Sequence, residues 1–131
     1  MEARKKDWEQ FLEEGRAFHR AVRGGLKRPE VFTPDIIQNI AAMGIEKYFM
    51  AFFTHRGILP KNHTMTDFIE EIKPLRPLPA ELEKKLRYFD ALQSICSLDT
   101  FQITKPGAED VERFTQAIDE VARLAEAELA G

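Results

Sequence analysis

Apolar positions along the chain fall into five blocks, and the densest runs from Ile36 to Phe53. Within TPDIIQNIAAMGIEKYFMAFFTHRG, only Gln38, Asn39, Glu46 and Lys47 interrupt the apolar residues of that block. A helix that is apolar on nearly every side must be covered by several neighbours, so this segment is expected at the centre of a helical bundle. Its ends are marked. Thr33 carries a hydroxyl that can accept from a free backbone N–H, Pro34 suits a first helical turn, and Asp35 meets the positive end of the dipole. Gly57 offers a left-handed cap and Pro60 forbids continuation.

The flanking blocks repeat at helical spacing. Trp8, Phe11, Leu12, Gly15, Phe18 and Val22 form one stripe of a first helix from about Lys5 to Val22, stopped by Gly24-Gly25. After the central helix, Gly57 to His63 is a link of ordinary length for antiparallel helices. Thr64 and Asp67 have capping-box spacing ahead of a short helix with Phe68, Ile69 and Ile72. Pro74, Pro77 and Pro79 stiffen the next link. A helix from Pro79-Ala80-Glu81 to about Cys96 follows, with Leu82, Leu86, Phe89 and Leu92 on one side. Ser97 to Gly107 reads as a loop, since the weak alternation of Thr100 to Ile103 has no strand to pair with. From about Ala108, the residues Val111, Phe114, Ile118, Val121, Ala122, Ala125 and Leu129 mark the buried side of a last helix. No strand alternates with the helices, which excludes nucleotide folds built on parallel sheets. The expected fold is all-α, an antiparallel up-and-down bundle of four main helices plus a short one, in one domain over residues 1–131.

Composition sharpens this only in part. Ten phenylalanines in 131 residues fill a core without metal or disulfide, and Cys96, alone, reads as a buried thiol in a reducing compartment. The start MEARKKDWEQ lacks a signal-peptide core and no run suits a membrane span, so a cytoplasmic location is expected. The formal net charge of −3 argues against a non-specific nucleic-acid coat protein. Charge is unevenly placed: the first helix region is basic and the last segment acidic. The two ends attract each other within one subunit or meet different partners, and composition does not choose.

Candidate chemistry is sparse. Phosphate-loop, dinucleotide, zinc-protease and Cys-x-x-Cys motifs are absent, and His19, His55 and His63 each lack the preceding Glu of a di-iron bundle. No metal or cofactor is therefore expected, and these histidines read as surface or helix-end residues. Arg16, Arg20 and Arg23 line one face of the first helix, either a solvated face or an anion or RNA-backbone contact helped by Lys27 and Arg28. Glu46 and Lys47 interrupt the central helix. A desolvated carboxylate needs a partner, for which Arg16, Arg20 and Arg87 are candidates. Glu81, Glu83 and Asp90 read as solvated acids.

The stretch AAMGIEKYFMAFFTHRGILPKNHTMTDFIEEI resembles the signature of HEPN domains (higher eukaryotes and prokaryotes nucleotide-binding). Ala41, Ala42, Glu46, Lys47, Gly57 and His63 stand at the family's characteristic places, and the outer helices fit its opening and closing elements. The resemblance implies an up-and-down bundle, often dimeric. It also implies association with RNA cleavage, nucleotide binding or a nucleotidyltransferase partner in toxin–antitoxin pairs. Catalytic members carry Arg-x(4–6)-His near the later helix junction, where this chain reads SICSLDTFQITKP. Arg56 and His63 satisfy that spacing, but they flank the turn after the central helix. The expectation is thus a HEPN-like binding module without its own catalysis, a homodimer, with Glu46, Lys47, Arg16, Arg20 and Arg23 as binding residues. The dimer expectation rests on Tyr48, Phe49, Phe52 and Phe53 crowding one end of the central helix beside Leu98 to Ile103. The alternatives are an active metal-independent ribonuclease using Arg56 and His63 across a dimer, and a structural helical adaptor.

Overall fold

The computed structural model describes residues 5–97 and 106–130 as five helices, with no strand among them. These are α1 (Lys5–Gly25), α2 (Pro34–His55), α3 (Met65–Ile72), α4 (Ala80–Ser97) and α5 (Ala108–Ala130). The side chain of Cys96 and the loop positions Leu98 to Ile103, including Phe101, lie outside the described residues, so the readings placed on them stand where they were. Among the described residues no helix is long and apolar enough to cross a membrane.

α2 is the central element, packed along α1 on one side and α5 on another. Trp8 meets His55 and Gly15 meets Tyr48, so α1 runs antiparallel to α2. Gly44 faces Ile118 while Arg56 reaches Glu128, so α5 runs parallel to α2. α4 lies antiparallel to α5, with Phe89 on Phe114 and Lys85 on Glu120. The four main helices therefore alternate in direction, as an up-and-down bundle requires. Two glycines set how closely α1 and α2 approach. A Cβ on Gly15 would stand 3.1 Å from the Tyr48 ring, and one on Gly44 would stand 2.6 Å from Ile118 Cδ1 and 3.0 Å from Phe18 Cβ.

Two helix ends differ from expectation: α1 continues through Gly24 to Gly25, and α2 starts without a side-chain cap. Gly57 has φ of +75° and closes α2, its N–H and that of Ile58 donating to the carbonyls of Thr54 and Phe53. Thr33, however, makes no side-chain cap; its hydroxyl donates to Asp35 Oδ1 at 2.6 Å instead. With Pro34 in the first turn and Asp35 occupying the hydroxyl, the end of α2 relies on proline geometry and the acid's charge.

Tyr48, Phe49, Phe52 and Phe53 are each at most 1 % exposed within a single chain. Phe49 and Phe53 stack on Phe68 of α3, and Gly15 of α1 seats Tyr48. The aromatic block cited for a dimer is thus buried within one chain, while Leu98 to Ile103, the other part of that expectation, lie outside the described residues.

The link after α2 departs from the expectation of an antiparallel turn. It runs back beside α2, so that His63 meets Glu46, nine residues before the helix end and about 14 Å along the axis. α3 then starts again in the same direction as α2, with Phe68 reaching Phe49 and Phe53. Pro60 and Met65 are buried on the way, which holds the returning strand of chain against the bundle.

Candidate functional site

The returning link, α2 and α4 enclose a cleft of about 390 Å³. Asn39, Ala42, Met43 and Glu46 form its α2 wall, at the i, i+3, i+4, i+7 spacing of one helix face. His63, Thr64 and Met65 supply the second wall, and Phe89 and Asp90 of α4 the third. Met43 remains 47 % exposed at its mouth.

Two polar arrangements lie at the cleft. Asp90 accepts from the backbone N–H groups of Met65 (3.0 Å) and Thr66 (2.7 Å), the free donors at the start of α3. Thr64 Oγ1 accepts from the Asp67 N–H at 3.1 Å and donates to its carboxylate at 2.6 Å. α3 is therefore capped from its own chain and from α4, and its positive end faces a carboxylate. Asp90 is not the solvated acid its sequence context implied. Glu46 Oε2 lies 2.7 Å from His63 Nδ1, with both side chains more than a third exposed. The partner of Glu46 is His63, not Arg16, Arg20 or Arg87. The arginines sit elsewhere: Arg16 and Arg20 are on the α1 surface, and Arg87 is held by Glu83 and Glu70.

The remaining candidates gather on the far side of α2. Lys47 is rotated away from Glu46, as adjacent helical residues are, and reaches Glu14 at 3.1 Å with its ammonium over the Phe11 ring. Arg16 grips Glu126 through two bonds of 2.7 and 2.5 Å, and that contact holds the Glu126 carboxyl below its ordinary range. Arg23 binds Asp119, whose other oxygen lies 2.6 Å from His19 Nε2. His19 Nδ1 in turn lies 3.3 Å from the Tyr48 hydroxyl. His19 is thus a half-buried member of a seam joining α1, α2 and α5, not a surface residue. Burial pushes the Tyr48 phenol up to about 12. Arg20 is exposed and makes no ion pair among the described residues. The basic first helix and acidic last helix therefore neutralise each other within one chain.

Arg56 and His63 are not brought together. The Arg56 guanidinium lies over the Phe52 ring and binds Glu128 of α5 at 2.7 Å, an acid it shares with Arg76. His63 turns to Glu46 on another side of α2. His55 packs edge-on against Trp8.

Asn39 stands seven residues before Glu46, a spacing that places both on one helix face. Asp90 carried no local signal, because its role depends on a helix start 24 and 25 residues earlier. Among the described residues no group of three His, Cys, Asp or Glu side chains is placed to hold a metal ion. Neither the family models nor the characterised proteins and solved structures with which the chain was compared give a match.

Proposed function

We propose that this chain is a HEPN-like module that acts by binding, with a nucleotidyltransferase-type protein of a toxin–antitoxin pair as its partner. The observation that carries this reading is the division of Arg56 and His63 between separate carboxylates. Ribose 2′-OH chemistry needs a cation on the phosphate and an imidazole on the hydroxyl at the same time. Here the two groups are engaged by different acids, Glu128 and Glu46, on different helices. The charge pairing favours a protein partner over RNA. Arg16 and Arg23, which would meet a phosphodiester backbone, are committed to Glu126 and Asp119, leaving Arg20, Lys27 and Arg28 as cations of that surface with no ion pair among the described residues.

The test has two arms. Purified chain incubated with single-stranded RNA in the presence of a chelator is expected to leave it intact. Cleavage that disappears in both Arg56→Ala and His63→Ala would overturn the reading and establish a ribonuclease assembled across a dimer. In the second arm, the chain co-expressed with a nucleotidyltransferase-type protein is expected to sediment with it as one complex. Independent sedimentation of the two would leave the structural-adaptor reading in its place.

A further inference from the structure

The cleft between α2, α4 and the returning link has a definite sign. Its polar lining is Asn39, Glu46, His63, Thr64 and Asp90, and among the described residues no lysine or arginine lines it. Of the cations nearest in sequence, Lys47 is held by Glu14 across α1 and Arg87 by Glu83 and Glu70, while Lys61 of the link is exposed and does not line the cleft. An anion would therefore meet two carboxylates and no lysine or arginine of the described residues, whereas a cation would find an acceptor in Glu46. The two carboxylates are not equivalent. Both oxygens of Asp90 already accept backbone N–H groups of α3. Glu46 uses only Oε2, toward His63, and its Oε1 has no partner among the described residues. Ala42 and Met43 extend an apolar strip along α2 from Glu46 toward Asn39.

From this geometry we infer that the cleft is the docking point for an arginine side chain of the partner protein. The inference rests on the binding-module reading and names what that module recognises. The guanidinium sits on Glu46 and the methylene stem lies along Ala42 and Met43, with the Asn39 side chain at the far end of the strip. Arginine fits better than lysine for two reasons. Its planar fork matches a carboxylate with two parallel N–H donors, and it is more weakly hydrated than an ammonium, so a half-exposed apolar cleft strips it of water at lower cost. His63 is the resident competitor. It holds Glu46 while the cleft is empty, and it must yield part of that contact when the guanidinium enters. Around Glu46 the charged and titratable neighbours are His63 from the link and Asp90 from α4, with Asp67 of α3 turned to Thr64.

Nuclear magnetic resonance titration with N-acetyl-arginine methylamide tests this, with AMP and putrescine as comparators. Saturable shifts are expected at Asn39, Met43 and Glu46, weak in absolute affinity, with none from AMP and smaller ones from putrescine. Glu46→Gln is expected to weaken the probe about tenfold, the size of one charge-assisted hydrogen bond. His63→Ala is expected to act in the opposite direction and tighten it, a crossed pattern that loss of structure in either variant would not give. Backbone amide dispersion reports whether each variant folds. Absence of a saturable response, a response untouched by Glu46→Gln, or AMP binding in the cleft would overturn the inference. Tighter binding of putrescine than of the arginine probe would make the cleft a free-amine site and likewise overturn the docking role. Glu46→Gln should also loosen the complex with the nucleotidyltransferase-type protein. A complex that forms equally well with that variant overturns the cleft alone, while a wild-type complex that never forms overturns the module.

Discussion

The two sides of α2 solve opposite problems with the same helix. Toward α1 and α5, glycines bring backbones close and three cations find acids across the seam: Arg16 with Glu126, Arg23 with Asp119, Lys47 with Glu14. Toward α3 and α4, the returning link keeps the neighbours apart, Met43 stays half exposed, and Glu46 keeps one oxygen unpaired among the described residues. The contrast teaches that polar residues on one helix are not one site. Glu46 and Lys47 are adjacent in sequence, yet the first faces the open cleft and the second closes the sealed side.

The largest expected effect lies on the sealed side. Gly44→Val places atoms where Ile118 and Phe18 already stand, and it should lower unfolding free energy by about 3 kcal/mol in urea titration. Gly24→Ala is its control. Nothing stands within 4 Å of a Cβ there, and α1 should gain about 0.5–1 kcal/mol. Equal effects at the two positions would erase the proposed difference in packing.

Next comes Asp90→Ala, which removes both acceptors at the start of α3. A loss of about 2 kcal/mol is expected, with earlier hydrogen exchange at Met65 and Thr66. An unchanged exchange pattern would return Asp90 to the solvated acids.

Tyr48→Phe sharpens the seam. At neutral pH it should lower stability by about 1 kcal/mol, the worth of one hydrogen bond. Its stronger signature is alkaline. The phenol is raised from its ordinary value of about 10 to about 12, so the folded state holds its proton after the unfolded state has lost it. Stability is then complete below the unfolded value and falls as pH rises from it toward the folded one, by at most about 1.4 kcal/mol per unit. That slope should shrink in Tyr48→Phe, and an identical alkaline limb would contradict the assignment. Glu126 has the opposite sign: Arg16 holds its carboxyl low, so the stability it adds is present at neutral pH and is lost on acidification through its folded value.

A smaller gain is expected from Thr54→Val. Thr54 Oγ1 is buried without a hydrogen-bond partner among the described residues, and replacing it by a methyl of similar shape should stabilise α2 by about 1 kcal/mol. A loss instead would mean that the hydroxyl has a partner.

Much of the scaffold was legible because local chemistry sets helix ends. Thr64 with Asp67, Gly57 and the proline at 34 each did what their residue types do. The basic α1 and acidic α5 were legible as a charge asymmetry, and only the fold decided that they meet each other. The path of residues 57–64 was not legible, because a link of that length can turn away or return. Burial of Pro60 and Met65 against the bundle chose the second. The cleft depends on that choice. Glu46 stood out as an interruption of an apolar helix, but its partner came from a segment that local pattern sent the other way.

The most direct test of the two-sided account measures Glu46→Gln twice, for urea unfolding and for binding of the arginine probe. Glu46 and His63 are both more than a third exposed, and such pairs contribute little to stability. The account predicts an unfolding free energy within about 0.5 kcal/mol of wild type together with loss of most probe binding. A large loss of stability with probe binding intact would place Glu46 among the structural residues and contradict it.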